Sequence, residues 1–242
     1  MKVLVIGGAG YVGSIVWPAL QAQHTVYHLD LKCVPGAAPE CCMTGDLADS
    51  ALVARAVAGM DCIVWLAMGV KPEMGSPMGS IDLDAAFNVN VRDLFRVLHA
   101  AQDANVQRFV YASSLSVYHK CHQRASYPLD ENQQPDGWDT YGFSKRLGEI
   151  MGAAWVEQCP PATFVGLRLF RPLSDTDWPG QAPKAGRIWH PLGPNDLRRL
   201  FTAAVACDTA GCHLVQASGD LQGANLPTTR AAEILGWQPQ GN

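Results

Sequence analysis

Tyr141 and Lys145 are the residues whose types and spacing best suit chemistry. They lie four positions apart at the start of a predicted helix, so both side chains are expected on one face of it. A tyrosine, with a pKa of about 10, is a poor base at neutral pH, and a lysine ammonium one turn away should lower that pKa. The pair predicts a proton relay at a carbinol oxygen. Alone, the same spacing equally fits a surface helix with an extended lysine.

A group of serines follows the predicted strand 107–112. Open α/β sheets bind their ligands at the carboxyl ends of parallel strands, which is where Ser113, Ser114 and Ser116 fall. Ser114 is the candidate for holding a substrate oxygen and its developing charge, and Ser116 is a second candidate substrate contact. Together with Tyr141 and Lys145, Ser114 completes a predicted catalytic triad.

A glycine-rich turn follows the short apolar run 2–6 and precedes a helix expected to begin near Tyr11. Its glycines fit both G-x-G-x-x-G and G-x-x-G-x-x-G spacing; they are Gly7, Gly8, Gly10 and Gly13. Missing side chains let a pyrophosphate approach backbone amides at a helix N-terminus. The turn predicts dinucleotide binding, although packing turns and flavin or mononucleotide sites share the pattern.

Two carboxylates stand where a dinucleotide would need them. Asp30 ends the predicted strand 25–29, at the spacing of a residue that accepts hydrogen bonds from an unmodified ribose, so it favours NAD. Lys32 keeps NADP open, and a solvated turn would also explain Asp30. Asp46 and Leu47 suggest a polar and an apolar contact to adenine, while a helix N-cap explains Asp46 nearly as well.

Strands and helices alternate along the chain. This alternation predicts an α/β fold: a Rossmann-type doubly wound parallel sheet, forming a single NAD(P)-binding domain over 1–242 in which 170–242 is a small C-terminal, substrate-side elaboration. A helix over 85–103 should cover the sheet, Pro18 should kink the first helix, and 171–187 should form an irregular loop long enough to line a site. The strands are expected near 2–6, 25–29, 41–45, 61–67, 107–112, 162–169 and 212–218.

Composition favours a small-molecule enzyme. The net charge is −4 and basic residues do not cluster, so no nucleic-acid or anionic-membrane partner is expected. No apolar stretch reaches the length of a membrane span, and the sequence enters a strand at once, which predicts a cytoplasmic protein. The eight cysteines lack a C-x-x-C pair and should be reduced thiols. The cluster His119, Cys121, His122 fits no common zinc spacing, so no metal site is expected.

As a set, these motifs resemble the extended short-chain dehydrogenase/reductases, the NAD-dependent epimerase/dehydratase family. The resemblance covers nearly the whole chain. It implies the triad Ser114, Tyr141, Lys145 and often a homodimer through the outer helices. The motifs that carry it are the glycine turn, Asp30, 45–47, 64–67, Asn90, 112–114, 117–118, 141–145 and 235–239. The cofactor contacts it implies are Gly7, Gly10, Tyr11, Val12, Gly13, Asp30, Asp46, Leu47, Leu66, Ala67, Met68, Asn90, Tyr141 and Lys145.

Within that family the chain most resembles the short uronate dehydrogenases, which oxidise a hexuronic acid to an aldarolactone with NAD. The likeness lies in the length, in 195–197, in 212–218 and in Gly236 and Trp237. The sequence departs from their pattern at 68–69 and at 115–116, so the identity of the substrate stays open.

A uronate carboxylate would suit an arginine. Arg187 is the candidate by position and Arg171 the other, and either also fits a solvent-exposed loop. Arg168, inside an apolar strand, is predicted to form a buried structural ion pair. The alternative functions are a sugar epimerase, an NADPH-dependent carbonyl reductase and a non-catalytic NAD(P)-sensing protein.

Overall fold

A computed structural model of the chain describes residues 1–73, 76–118, 128–181 and 190–242, with the backbone alone described for 71–73 and 76–80. The strands are β1 Lys2–Ile6, β2 Thr25–Asp30, β3 Cys42–Thr44, β4 Cys62–Trp65, β5 Lys71–Glu73, β6 Ser76–Ser80, β7 Arg108–Ser114, β8 Thr163–Leu169 and β9 Gly211–Ala217. The α-helices are α1 Tyr11–Gln21, α2 Ser50–Val57, α3 Leu83–Phe87, α4 Leu94–Asp103, α5 Thr140–Gln158, α6 Pro194–Ala206 and α7 Thr229–Leu235.

The main sheet has the strand order β3-β2-β1-β4-β7-β8-β9, and every pairing in it is parallel. The order reverses between β1 and β4, where chains of this topology leave a crevice at the carboxyl ends of the strands. Helices pack on both faces. The predicted α/β Rossmann-type doubly wound sheet is therefore confirmed.

Alternation along β1 divides the core into two layers. Val3 and Val5 pack in one cluster with buried residues of α1 and α6, whereas Leu4 and Ile6 pack in the other with residues of α2, α4 and α5. A strand buried on both faces needs an unbroken apolar sequence, which is what β1 has. Two-sided burial fixes the register of the sheet and so the height at which each strand ends.

The strand ends meet at one edge of the sheet. Ile6 pairs with Leu29 of β2 and with Trp65 of β4, and Ser114 of β7 pairs with Leu169 of β8. The glycine turn, Asp30 and the serines therefore emerge on the same side. This edge carries the candidate site.

Three features differ from the sequence predictions or extend them. The predicted helix 85–103 is two helices, α3 and α4, joined by a π-helical turn over Asn88–Asp93. The antiparallel pair of β5 and β6 was not predicted. Helix α1 continues through Pro18, which is exposed to solvent. The kink predicted at Pro18 stays a prediction. Helix α4 does cover the sheet, as predicted for 85–103, and its buried apolar residues are Leu94, Val97, Leu98 and Ala101.

A buried carboxylate in α6 fastens the last residues of the chain. Asp196 is fully buried and accepts hydrogen bonds from the amides of Gln240 (2.9 Å) and Gly241 (3.0 Å). It also pairs with Arg199, and its carbonyl accepts the indole N–H of Trp237 at 3.1 Å. Because the Asp196 carboxylate is buried, a partner that is lost leaves one of its oxygens without a hydrogen bond.

We expect Asp196→Ala to lower the free energy of unfolding by about 3 kcal/mol, because it removes a buried acceptor from the amides of Gln240 and Gly241. Urea denaturation measures this directly. Asp175 is the control, since it pairs with Arg198 on the same helix but is 65% exposed. Asp175→Ala should cost about 1 kcal/mol or less. Equal losses in the two variants would contradict the anchoring role.

Candidate active site

A cleft with a volume of about 480 Å³ opens at the carboxyl edge of the sheet. It brings together residues that lie up to 166 positions apart, from Ile6 to Pro172. Most of the predicted site residues line it: Gly7, Gly10, Tyr11, Val12, Gly13, Asp30, Asp46, Leu47, Leu66, Ala67, Met68, Ser114, Tyr141 and Lys145. The cleft is therefore where both the predicted cofactor and the predicted chemistry meet.

The glycine turn is shaped by close backbone approach. Gly7 has φ +89°, and a Cβ there would lie 2.6 Å from the amide nitrogen of Ala67. A Cβ on Gly13 would lie 2.5 Å from the carbonyl oxygen of Gly8. Side chains at these positions would collide with backbone, so glycine is required. The turn leads into α1, whose N-cap is Gly10, and presents helix N-terminal amides to the cleft.

Asp30 lies where β2 ends, directly beside the glycine turn. Its Oδ2 accepts a hydrogen bond from the Ala9 amide at 2.9 Å. The carboxylate thus fixes the turn and lines the cleft at the same time. A carboxylate at this place accepts hydrogen bonds from two ribose hydroxyls and repels a phosphate. The residues present, a side-chain-free cradle and an adjacent carboxylate, fit NAD.

The predicted adenine-side residues are held by local contacts. Asp46 accepts the Ala48 amide at 2.8 Å, which makes an Asx turn, whereas the N-cap of α2 is Asp49. The N-cap reading of Asp46 is therefore wrong. The carbonyl of Leu47 accepts a hydrogen bond from Arg96 at 2.8 Å. Arg96, which points away from the sheet, thus positions Leu47 at the edge of the cleft.

Asn90 does not line the cleft and instead braces it from below. It is fully buried in the π-helical turn, where its Oδ1 accepts the Gly69 amide and its Nδ2 donates to Ser144 Oγ, both at 3.0 Å. Ser144 in turn donates to the carbonyl of Tyr141 at 2.8 Å. Asn90 therefore ties the loop after β4 to the first turn of α5. Its predicted contact with the cofactor stays a prediction.

Helix α5 delivers Tyr141 and Lys145 to the cleft. Asp139 caps the helix by accepting the Gly142 amide at 2.9 Å, so Tyr141 falls in the first turn. Lys145 is 3% exposed, and its Nζ donates to the carbonyl oxygen of Ala112 in β7 at 2.7 Å. Burial lowers the pKa of Lys145 to about 7, against the opposing effect of the Glu149 carboxylate. Lys145 therefore exchanges a proton near neutral pH.

The predicted lowering of the Tyr141 pKa is wrong for the protein on its own. Burial raises the pKa of Tyr141, and the smaller, opposite effect of a hydrogen bond with Ser114 does not reverse this. The reason is geometric: Lys145 Nζ lies 5.7 Å from the Tyr141 ring centre, and it donates a hydrogen bond to the carbonyl of Ala112. Tyr141 is thus a neutral phenol, poised beside a readily titrated lysine.

Some of the residues predicted to contact the substrate line the cleft and others do not. Ser114 lines the cleft, and Ser116 lies behind it, hydrogen-bonded to Ser114 Oγ at 3.1 Å. Arg187 lies outside the described residues. Arg171 lines the cleft, is exposed, and has φ +41°, a left-handed conformation that is costly for a residue with a side chain. The structure therefore places the second arginine candidate at the site.

The segment after β8 closes over the start of α1. The Tyr11 hydroxyl donates to Asp177 Oδ2 at 2.6 Å and accepts the Ser174 amide at 2.8 Å. Ser174 Oγ also donates to Asp177, at 2.6 Å. Part of the predicted 171–187 loop is therefore latched to the start of α1, beside the glycine turn. Sequence reasoning missed this latch because its partners are more than 160 residues apart.

Asp93 is a cleft residue that the sequence did not reveal. It lies at the end of the π-helical turn, lines the cleft, and is paired with Arg92 (2.9 Å) and Arg96 (2.5 Å). A helical Asp next to arginines carries no local signal for a cleft. Its charge is held by those two cations.

Other classes of site find little support in the described part of the chain. No group of three or more potential metal ligands occurs there, and the cluster His119, Cys121, His122 lies outside it. The cysteines within it are unpaired thiols, as predicted. Arg168 forms the predicted buried ion pair, with Glu149, at 2.9 Å. No described helix is both long and apolar enough to span a membrane.

Known proteins give three further findings. A model of the NAD dependent epimerase/dehydratase family matches residues 3–189. The L-arabinose 1-dehydrogenase (NAD(P)(+)) of Haloferax volcanii is 24% identical over 100% of this chain and 97% of its own length. A solved structure of a mutated uronate dehydrogenase is 25% identical with a TM-score of 0.78, covering 99% of this chain and 81% of that one.

An epimerase is also among the similar proteins. The N-acetyl-alpha-D-glucosaminyl-diphospho-ditrans,octacis-undecaprenol 4-epimerase of Escherichia coli O157:H7 is 30% identical over 71% of this chain and 48% of its own length. The match to a 3-beta-hydroxysteroid dehydrogenase of Mycolicibacterium neoaurum spans 32% of that protein. The chain thus spans a third to a half of the length of these relatives.

Lys145→Met should separate stability from chemistry. The unfolded chain binds a proton on this lysine far more tightly than the folded protein does, so burial of Lys145 costs stability at pH 7. We expect Lys145→Met to raise the free energy of unfolding at pH 7 by on the order of 1–3 kcal/mol. Because the folded pKa is the lower one, the gain should persist below pH 7 and fade as pH rises toward about 10.

Urea denaturation across this pH range tests the expectation. Lys32→Met, which alters an exposed lysine, should change stability by about 0.5 kcal/mol or less at every pH. A Lys145→Met protein that is less stable than the wild type at pH 7, or a gain that does not vary with pH, would refute the account of Lys145.

Proposed function

Because the chain belongs to the NAD dependent epimerase/dehydratase family, we propose that it is an NAD-dependent dehydrogenase that oxidises a hydroxyl of a sugar or sugar acid. One observation carries the proposal: Ser114, Tyr141 and Lys145 line the same cleft as the glycine turn and Asp30. Hydride transfer needs a proton relay within reach of a bound dinucleotide, and this cleft offers both.

In the proposed complex, the pyrophosphate lies against the amides at the start of α1, where the helix dipole favours negative charge. Asp30 accepts hydrogen bonds from the adenosine ribose, and Leu47 contacts the adenine. The segment after β4 runs along the cofactor toward the nicotinamide side, with Leu66, Ala67 and Met68 lining the cleft. The Tyr11 latch of the 174–177 segment then lies over the pyrophosphate side.

The proposed reaction removes two hydrogens from a carbinol. NAD, when bound, supplies a hydride acceptor and a positive charge. Tyr141 takes the hydroxyl proton as the carbon–hydrogen bond breaks, so that a carbonyl forms and the tyrosine ends protonated. Ser114 donates a hydrogen bond to the substrate oxygen and fixes its position. Lys145 supplies the positive charge that offsets the tyrosinate before the transfer.

The environment of Tyr141 and Lys145 suits this division of roles. Burial favours the neutral forms of both groups, raising the pKa of Tyr141 and lowering that of Lys145 to about 7. Moving one proton from tyrosine to lysine converts the neutral pair into an ion pair without exchanging a proton with solvent. Such coupled groups titrate as a pair. The pair is thus suited to take up a substrate proton.

Within this activity, we propose a sugar acid as the substrate class, and a hexuronate oxidised to its aldarolactone as the leading case. The exposed guanidinium of Arg171 lines the cleft, and a planar fork of donors matches a carboxylate. Its left-handed backbone conformation is a strain typical of ligand-contacting positions. Arg187 is the second candidate. The similarity to a uronate dehydrogenase over 99% of the chain supports the proposal.

An epimerase is the second candidate function, favoured by the 30% identity to a 4-epimerase over 71% of the chain. Epimerases of this kind return the hydride to the substrate, so no net NADH accumulates. An NADPH-dependent reductase and a non-catalytic NAD(P)-sensing protein lack a comparable observation. Net production of NADH therefore separates the two leading functions.

We further propose a cytoplasmic homodimer. Helices α4 and α5 pack together, and each leaves a large apolar side chain in solvent, Phe95 (52% exposed) and Ile150 (61% exposed). Apolar side chains on two adjacent outer helices favour burial against a second copy. Sedimentation equilibrium is the test, and a monomer at micromolar concentration would rule the dimer out.

The first experiment records absorbance at 340 nm with NAD, and in parallel with NADP, against galacturonate, glucuronate and a panel of neutral aldoses. We expect NADH to form with a uronate and little or none with NADP, because Asp30 repels a 2′-phosphate. Absence of turnover on the whole panel, with NAD binding still measurable by calorimetry, would reject the uronate proposal in favour of an epimerase or a reductase acting on another substrate.

Arg171→Gln tests the substrate class. If Arg171 holds the carboxylate, the variant should raise KM for the uronate by tenfold or more, about 1.4 kcal/mol, with a small change in kcat. Arg55→Gln, an exposed arginine on α2, is the matched control and should leave both constants unchanged. An unchanged KM in Arg171→Gln would assign the carboxylate to another residue.

A further inference from the structure

A buried carboxylate stands behind the proposed proton relay. Glu149 is 4% exposed and receives three hydrogen bonds: two from Arg168, through Nε and Nη2 at 2.9 Å each, and one from Ser113 Oγ at 2.7 Å. The fork of Arg168 pairs with the carboxylate through two of these bonds. Arg168 also donates to the Tyr118 hydroxyl at 2.5 Å. The Glu149 carboxylate is therefore held in one place by Arg168 and Ser113.

This carboxylate joins the two elements that carry the triad, α5 and β7, and links both to β8. Glu149 lies one helical turn beyond Lys145 on the same face of α5. Ser113 is the neighbour of Ser114 at the end of β7, and it is paired in register with Arg168 of β8. Through these contacts, one side chain links the helix that carries Lys145 to the strand end that carries Ser114.

The charge of Glu149 acts on Lys145. Several titratable groups surround this lysine or its carboxylate neighbour: Tyr111 on β7, whose ring centre lies 5.0 Å from Lys145 Nζ, Tyr141 on α5 itself, Arg168 on β8 and Cys212 on β9. Asp93 lines the cleft opposite but is paired with two arginines. Among the described residues, Glu149 is the carboxylate that favours the ammonium form of Lys145.

We propose that Glu149 is a positioning residue of this site: its carboxylate, fixed by Arg168 and Ser113, favours the ammonium form of Lys145 and holds α5 against the end of β7. The catalytic consequence rests on the proposed function, whereas the effect on Lys145 does not. Without this charge, burial would disfavour the ammonium form of Lys145 further, and with it the ion pair in which that ammonium offsets a tyrosinate.

A merely structural ion pair would explain the same contacts, so the test must separate charge from stability. Removing one partner of a buried pair leaves the other uncompensated and can unfold the protein. The double variant Glu149→Gln/Arg168→Met removes both charges together, and such neutral replacements commonly retain the fold. Urea denaturation identifies the variants that keep wild-type stability.

The decisive readout is the titration of Lys145 in the protein without cofactor, followed through the chemical shift of ¹³Cε in lysine-labelled samples. The chain has six lysines, and loss of one signal in Lys145→Arg assigns the resonance. We expect the double variant to lower the Lys145 midpoint by about one pH unit, while the Lys32 signal titrates as in the wild type. An unchanged Lys145 midpoint in a folded double variant would overturn the proposal.

Should the double variant not fold, Glu149→Asp takes its place. It keeps both charges but withdraws the carboxylate from Lys145 by one methylene, so a smaller downward shift of the same resonance is expected. An unchanged or raised midpoint would again overturn the proposal. Neither measurement depends on turnover, so a failure here is distinct from a failure of the proposed dehydrogenase activity.

Kinetics add a second readout where the dehydrogenase is active. Because Lys145 must accept the proton of Tyr141, a midpoint one unit lower makes the ion pair about tenfold less populated and moves the acid limb of the kcat profile to lower pH, so that kcat at pH 7 falls by about fivefold. KM for NAD should change little. A double variant with wild-type stability and a wild-type pH profile would show that the pair is only structural.

Discussion

The hydrogen bond from Lys145 Nζ to the carbonyl of Ala112 is the contact on which the site depends. It joins the helix that carries Tyr141 to the strand that ends at Ser114, and it requires burial of the Lys145 amine. Burial of this kind is costly, and that cost is visible in the lowered pKa of Lys145, about 7. Groups kept at such a cost to stability are often found at active sites, which suits the role proposed for Lys145.

The remaining architecture can be understood as support for that contact. The parallel sheet brings the ends of β1, β2, β4 and β7 to one edge, so the glycine turn and Asp30 face the helix that carries Lys145. Beneath the cleft, Asn90 ties the loop after β4 to α5 through Ser144, and the π-helical turn that places it is a geometry common at functional sites. Above it, the 174–177 segment is latched to the Tyr11 hydroxyl.

Much of this was predictable from the sequence because the signals are local. An apolar run, a glycine spacing and an i, i+4 pair report on a few neighbouring residues, and the sheet, the turn and the shared cleft of Tyr141 and Lys145 all follow them. What failed depends on packing. The Tyr141 pKa is raised because the side chain is buried and because Lys145 donates its hydrogen bond to Ala112. The π-helical turn and the Asp196 anchor depend on partners distant in sequence. A single sequence carries no local mark of these.

The central claim is that Tyr141 moves the proton in a reaction for which the rest of the cleft holds the dinucleotide. The most direct measurement compares Tyr141→Phe with the wild type, recording turnover on an accepted substrate and the Kd for NAD by calorimetry. The phenylalanine keeps the ring and loses only the hydroxyl. We predict that kcat falls by about 10²-fold to 10⁴-fold while the Kd for NAD changes by less than about threefold. Turnover near the wild-type rate would contradict the account, whatever substrate is found.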